Sequence, residues 1–359
     1  MQVYEIAQNK IPITILTGFL GSGKTTLLNH ILTERHGYRI AVIENEFGEV
    51  DVDSDLVLAS DEEIYQMQNG CICCFVDVRN DLIDVMKKLL RQKDRFDHII
   101  VETSGLADPT PVATAFFADR DVAEEVNLDA IVTLVDARHI DQHLYDPVLD
   151  GSDNQAVDQI VAADRILVNK VDLADEAGLQ ALESSLRGLN QTAQILRSEY
   201  GVVDLDLILN VNGFQPSYVH ERAAILQIDM DADDQHQDGH DHGHDHGHDH
   251  GQAHDHGHLH DDTVTSVSFT FDRPFVLEKL QAFLVDYLKA NGPASFRTKG
   301  ILHIAGDDRF YVLQAVHDLI DLRPDHAWQD AARRSKIVFI GRDLNRDFLA
   351  AKLPACLVD

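Results

Sequence analysis

Apolar positions along the chain fall into two ordered regimes, separated by a stretch with no apolar periodicity. In the first regime, short and nearly continuous apolar runs alternate with amphipathic segments. Ile11–Thr17, Arg39–Ile43, His98–Glu102, Ala130–Asp136 and Arg165–Asn169 are rich in β-branched residues, which predicts strands buried on both faces. Between the first two, Leu27, Leu28, Ile31 and Leu32 keep helical spacing, with Gly37 as a C-terminal stop. Leu82, Val85, Met86, Leu89 and Leu90 put an apolar stripe on a helix from Val78 to Leu90. Buried strands alternating with helices predict an α/β domain with a mostly parallel sheet covered on both faces. The acidic segment from Asp51 to Ser60 has no period and reads as irregular. This first domain is expected to span residues 1–225.

The second regime is smaller. Val267–Phe271 alternates like a half-buried strand, and Leu277, Leu280, Leu284 and Leu288 face one side of a helix from Val276 to Ala290. Gly300–Ala305, Arg309–Ala315 and Lys336–Ile340 are further strand candidates. Together they predict a small α+β domain across residues 264–359. The intervening residues 226–263 are dominated by a repeated His/Asp/Gly unit, which predicts a disordered linker.

At 359 residues the chain is long enough for two such cores. Its formal net charge of −31 argues against nucleic acid and against an anionic membrane as partners, and suits a protein that handles cations. No run of about 18 apolar residues predicts a membrane span. Met1–Ile6 lacks a basic stretch leading into an apolar core, so no export signal is read and a cytoplasmic protein is expected. Three of the four cysteines crowd together as Cys71, Cys73 and Cys74. A disulfide framework would space them out, so this crowding points to metal or redox chemistry in a reducing compartment. Cys356 stands alone and reads as a buried or idle thiol.

The chemistry is carried first by Gly18-Phe19-Leu20-Gly21-Ser22-Gly23-Lys24-Thr25, which fits G-x-x-x-x-G-K-[ST] between a predicted strand and a predicted helix. In such a loop, backbone N–H groups around Gly18, Gly21, Ser22 and Gly23 wrap a phosphate chain. Lys24 reaches its outer phosphates, the Thr25 hydroxyl binds Mg²⁺, and Thr26 continues the helix N-terminus. Asn169-Lys170-Val171-Asp172 follows a later strand. The Asp172 carboxylate can accept from two guanine N–H groups, a pair that adenine lacks, so GTP and GDP are expected rather than ATP. Asn169 and Lys170 belong to the same motif. Glu102-Thr103-Ser104-Gly105 closes another strand, where Glu102 suits the Mg²⁺ water shell and the Gly105 N–H suits the terminal phosphate. Leu106 stands where some GTPases place a water-orienting glutamine, which predicts slow hydrolysis.

Thiolates of Cys71, Cys73 and Cys74 suit Zn²⁺, Cu⁺ or Fe–S clusters. Neighbouring cysteines cannot all hold one ion without strain, so one or two are expected to act with outside ligands, Glu44 and Glu49 being oxygen candidates. Three buried thiols or a redox pair are the alternatives. All these positions lie between the phosphate loop and Glu102, where nucleotide-dependent switches move. His240, His242, His244, His246, His248 and His250 are interleaved with aspartate and glycine, and their internal position argues against an expression tag. Imidazole suits Zn²⁺, Co²⁺, Ni²⁺ and Cu²⁺ alike, so the tract signals weak multi-site metal binding without naming the metal.

These motifs together resemble the CobW family of metallochaperone GTPases, and within it the YjiA-like members. The residues that carry the resemblance are Gly18 to Thr26, Glu44-Asn45-Glu46-Phe47-Gly48-Glu49, Gly70-Cys71-Ile72-Cys73-Cys74, Glu102 to Pro109 and Asn169 to Asp172. The resemblance covers nearly the whole chain. It implies a P-loop GTPase domain followed by a small α+β C-terminal domain, Mg-GTP binding, low intrinsic hydrolysis and transition-metal binding, most often zinc. Carried over residue by residue, it implies Glu44, Glu49 and Cys73 as metal ligands with Cys71 and Cys74 as companions. Some relatives supply a histidine after a Phe-Phe pair; here Phe116-Phe117 runs into Ala118-Asp119-Arg120. A client metalloprotein is implied as partner, delivery of Co²⁺, Ni²⁺ or Fe²⁺ being the alternative to Zn²⁺, and a homo-oligomer is compatible. A metal buffer with vestigial GTPase activity is the alternative from another functional class.

Overall fold

The computed structural model describes residues 10–34, 37–44, 64–66, 76–144, 154–211, 264–291, 294–317, 319–328 and 333–358. The first part runs β1 (Ile11–Gly18), α1 (Lys24–Thr33), β2 (Ile40–Glu44), β3 (Ile64–Gln66), α2 (Val76–Leu90), β4 (His98–Glu102), α3 (Thr110–Ala118) and α4 (Arg120–Glu125). It continues through β5 (Val126–Asp136), α5 (Asp141–Leu144), α6 (Gln155–Ala162), β6 (Arg165–Asn169), α7 (Glu176–Leu189) and β7 (Gln194–Arg197). Seven strands form one sheet in the order β3-β2-β4-β1-β5-β6-β7. Every adjacent pair is parallel. Apolar runs bury both faces: Ile13 and Ile15 pack with α2, α3 and α4, while Leu16, Val42 and Ile100 pack against Leu27, Leu28 and Ile31 of α1.

The departures from the sequence expectation have local causes. α1 stops at Thr33, ahead of Gly37, because Glu34 is already extended (φ −73, ψ 148). β5 begins at Val126, earlier than Ala130, because a charged residue, Asp129, interrupts the apolar run. Asp129 is fully buried, and its Oδ2 accepts from Thr14 Oγ1 at 3.0 Å and from the Val211 N–H at 3.2 Å. A buried carboxylate with donors on it is tolerated inside a strand.

The second part comprises β8 (Val264–Phe271), α8 (Leu277–Asn291), β9 (Ser295–His303), β10 (Arg309–Val316), β11 (Leu319–Ala327), β12 (Ser335–Arg342) and α9 (Arg346–Lys352). Its five strands make an antiparallel sheet in the order β11-β10-β9-β12-β8. Leu280, Leu284 and Leu288 of α8 and Leu349 of α9 cover one face, on Leu313, Ile337 and Phe339. Cys356 is buried at that end, and burial pushes its thiol pKa up, so it is an inert packing residue.

The other face packs on the first part. Val264, Phe296, Val338 and Ile340 share a core with Val157 and Ile160 of α6 and Leu179, Leu182 and Leu186 of α7. This contact explains why β9 starts at Ser295 and not at the predicted Gly300. Arg297 and Lys299, which precede the predicted strand start, are charged and yet only 1% and 7% exposed. Asp164, the residue before β6, accepts on Oδ1 from Arg297 Nη2 at 2.5 Å and Lys299 Nζ at 2.8 Å. Its Oδ2 takes the Ile131 N–H at 3.0 Å, and Arg297 Nη1 also donates to Ala162 O at the end of α6. Burial alone would raise the Asp164 pKa; the two cations outweigh it and hold the carboxyl well below the usual range.

Candidate functional site

β1 occupies the middle of the parallel sheet. From it the chain passes through α1 to β2 on one side, whereas β4 leads to β5 on the other. In an open parallel sheet this reversal leaves a crevice at the carboxyl ends of the strands. The glycine-rich loop after β1 and the motifs that close β4 and β6 emerge there.

The glycine-rich loop joins β1 to α1. Gly18 ends β1, Gly21 and Ser22 form the turn, and Gly23 is the N-cap of α1 at φ 107. Only glycine fits that last position, because a Cβ on Gly23 would sit 2.3 Å from Asn169 Nδ2. No side chain caps α1, so the positive end of the helix faces the loop. Lys24 is buried and its Nζ donates to Gly18 O at 2.9 Å, which folds the cation back over the loop. Ser22 Oγ is buried without a hydrogen-bond partner among the described residues. Thr25 is half-buried and Thr26 exposed on the first turn. This cradle of N–H groups around a lysine is a fit for phosphate.

β4 brings the second motif alongside. Leu16, Glu102 and Glu44 stand in one register row across β1, β4 and β2. Thr103 Oγ1 donates to Thr17 Oγ1 at 2.8 Å, and its N–H bonds to Leu16 O at 2.9 Å, so the end of β4 is stitched to the start of the loop. Glu102 is half-buried beside it. Gly105 lies in a turn closed by Ala107 N–H to Ser104 O at 3.1 Å. A Cβ on Gly105 would lie 2.8 Å from the Leu20 backbone nitrogen, so glycine is required for this turn to lie against the loop.

β6 delivers the third. Asn169 is buried and links three loops: Nδ2 donates to Ser22 O at 3.0 Å, while Oδ1 accepts from Ser198 Oγ and from the Gly201 N–H, each at 3.0 Å. Lys170 Nζ donates to Gly21 O at 2.6 Å and to Asp136 Oδ2 at 2.7 Å, bracing the phosphate loop from outside. Asp136 ends β5. Burial raises its pKa, but Lys170, the Arg138 N–H and His139 outweigh it and hold the carboxyl low, so the brace stays ionic at neutral pH. Asp172 is exposed, two residues beyond.

The metal-ligand candidates are placed less fully. Glu44 is the last residue of β2, its backbone in register with Glu102 and Gln66. Glu49, Cys71, Cys73, Cys74 and the histidines at 240, 242, 244, 246, 248 and 250 lie outside the described residues. Among the described residues, no cluster of three or more His, Cys, Asp or Glu could hold a metal ion. Asp136, Ser198, Gly201 and Gln159, whose Nε2 bonds to Gly105 O and Ala107 O, are site residues that the motifs do not announce. A charged residue closing the apolar run Ala130–Asp136 is the one signal that pointed to any of them.

A parallel sheet with a G-x-x-x-x-G-K-T loop at its switch point and Asn-Lys-x-Asp two strands away defines the P-loop GTPase fold. The chain belongs to the family described as CobW/HypB/UreG, nucleotide-binding domain, which it matches over residues 12–197; residues 264–357 match the cobalamin synthesis protein cobW C-terminal domain. It is 33% identical over 347 residues to the zinc chaperone YjiA of Escherichia coli, spanning 96% of this chain and 98% of that one. It is 32% identical over 369 residues to the zinc-regulated GTPase metalloprotein activator 1 of Schizosaccharomyces pombe, spanning 94% and 83%. The fold superposes on the crystal structure of Zn(II)-bound YjiA GTPase with a TM-score of 0.69 at 30% identity, covering 98% of this chain and 100% of that one. A Zn(II)-bound triple mutant of YjiA, with a glutamate and two adjacent cysteines replaced by alanine, superposes with a TM-score of 0.70. No helix among the described residues is long and apolar enough to cross a membrane.

Proposed function

We propose that this protein is a GTP-dependent zinc chaperone. It binds Mg-GTP at the glycine-rich loop, hydrolyses it slowly, and holds Zn²⁺ through Glu44, Glu49 and Cys73 with Cys71 and Cys74 as companions. The ion passes to a client metalloprotein under nucleotide control. The observation that carries this reading is the register row of Leu16, Glu102 and Glu44. It sets the first metal-ligand candidate one strand away from the carboxylate that suits Mg²⁺, and two strands away from the phosphate loop. A change at the terminal phosphate is thus felt within one sheet edge of the segment that runs from Glu44 to α2.

Within this reading each site residue takes one role. Gly21, Ser22, Gly23 and the first turn of α1 bind phosphate, Lys24 neutralises its charge, and Thr25 with Glu102 would hold the Mg²⁺ that screens the outer phosphates. The Gly105 N–H meets the terminal phosphate. Asp172, at the exposed end of its loop, reads guanine, while Asn169 and Lys170 fasten that loop to Gly21 and Ser22. The names of the YjiA and Schizosaccharomyces pombe relatives support zinc as cargo. In the YjiA mutant the two cysteines follow the glutamate at the same interval at which Cys73 and Cys74 follow Glu44. That mutant is itself Zn(II)-bound, so a test must separate one tight site from weaker ones.

Competition with a chromophoric zinc chelator makes that separation. It is run on the wild type, on Cys73→Ala and on a chain lacking Asp238 to His260. One tight site is expected to vanish in Cys73→Ala and to survive removal of the tract, which takes only weak sites with it. Tight binding that follows the tract alone would instead mark a metal buffer.

A further inference from the structure

Helix α6 is tied to its surroundings at both ends and in its middle. At its N-terminus Asn154 Oδ1 accepts the Ala156 and Val157 N–H groups, while Asn154 Nδ2 donates to His143 O at 2.9 Å. At its C-terminus Asn190 Nδ2 donates to Ile160 O at 2.8 Å and Ala163 O at 2.9 Å, and Arg297 reaches Ala162 O from the second sheet. In the middle, the Gln159 carbonyl accepts from Thr133 Oγ1 at 2.7 Å, which ties the helix to β5. Gln159 is 1% exposed. Its side chain leaves this fixed helix and donates through Nε2 to Gly105 O at 3.2 Å and to Ala107 O at 3.0 Å.

Those two carbonyls belong to the turn that lies on Leu20 of the phosphate loop. Gly105 and Leu106 are its central residues, and glycine there offers little resistance to rotation of the peptide between them. In a trans peptide the C=O and N–H point in opposite directions, so the Ala107 N–H on Ser104 O sets the direction of the Gly105 N–H, and the Gln159 bond to Gly105 O holds the next peptide of the same turn in place. A second bond, to Ala107 O, fixes the far side of the turn. Both bonds are buried, where losing the donor leaves two carbonyls unsatisfied.

We propose that Gln159 is a positioning residue for the terminal phosphate: by fixing the Ser104–Ala107 turn from α6, it holds the Gly105 N–H ready for a triphosphate while contributing nothing to a diphosphate. The inference rests on the reading of Gly105 as the group that meets the terminal phosphate. Because α6 also carries the contact with the second sheet, the turn is referenced to both parts of the chain. Gln159 acts through Gly105 and touches no reacting atom itself.

The test compares affinities of the full-length protein for a non-hydrolysable GTP analogue and for GDP by titration calorimetry. Gln159→Met keeps the volume and removes the donor. It is expected to weaken the GTP analogue about tenfold, the value of one lost hydrogen bond, and to leave GDP unchanged. Thr133→Val is the control, since it disturbs the same helix without touching Nε2; it is expected to lower the melting temperature and leave the affinity ratio intact. Equal weakening of both nucleotides by Gln159→Met, or no change in either, would overturn the positioning role. Hydrogen exchange of residues 104–107 in the wild type separates this from the underlying reading. Protection by the GTP analogue beyond that by GDP supports Gly105 as the phosphate contact; identical exchange with both nucleotides overturns that reading and the inference with it.

Discussion

Asp164→Asn is expected to destabilise the folded chain by about 3–5 kcal/mol, because it leaves two buried cations facing a neutral amide. The substitution barely changes shape. What it removes is the charge that Arg297 and Lys299 share at 2.5 and 2.8 Å, in a place where none of the three residues is more than 7% exposed. Surface ion pairs are worth far less, since water screens them and either partner can relax into solvent. Here neither can. The loss is read as a fall in the urea midpoint, and it falls on the contact between the two sheets, so the second part of the chain is expected to become susceptible to proteolysis first. A change below about 1 kcal/mol would mean that the cations find other acceptors. The same group sets an acid limit. A carboxyl whose pKa is lowered by folding stabilises the folded state above its unfolded pKa, about 3.9, and this contribution is lost as pH falls through the folded value. The gap between wild type and Asp164→Asn is therefore expected to be full at neutral pH and to narrow only below about pH 4.

Lys24→Ala is expected to lower kcat/KM for GTP by at least about a hundredfold while leaving the fold intact, as removal of a preorganised charge from a phosphate site does. The lysine sits on the first turn of α1, buried, with its Nζ already placed over Gly18 O at 2.9 Å. No side-chain motion across the site is needed for it to meet phosphate, and the apolar face of α1, carried by Leu27, Leu28 and Ile31, does not depend on it. Phosphate release measures the effect, and circular dichroism checks the fold. A loss under about tenfold would place the phosphate elsewhere in the crevice.

The parts of the fold that the sequence reveals are those where burial alone decides. His98–Glu102 and Arg165–Asn169 emerge at the bounds their apolar runs predict, because both faces of these central strands are covered and no polar position interrupts them. β3, β7 and β11 escape the pattern, and all three are sheet edges. An edge strand carries less apolar content: β7 is only four residues long, and β11 includes Asp321, Arg323 and Pro324. Buried charge misleads in the same way. Asp129 shortens the expected β5 and Arg297 with Lys299 shortens β9, because a sequence does not display the partner that makes a buried charge tolerable. The site follows this division. Gly18 to Thr26, Glu102 to Gly105 and Asn169 to Asp172 are contiguous stretches whose backbone geometry makes the chemistry, so they can be read in one dimension. Gln159, Ser198 and Asp136 act by side-chain contacts with loops far away in sequence, and only the fold brings them together.

The central claim is that nucleotide state governs zinc affinity. It is tested most directly on the wild-type protein, by measuring zinc affinity against a chelator in the presence of a non-hydrolysable GTP analogue with Mg²⁺, in the presence of GDP with Mg²⁺, and without nucleotide. The account predicts a tight site whose affinity differs between the two nucleotides by about five- to 150-fold, the span of ordinary allosteric coupling. One and the same affinity under all three conditions would contradict it.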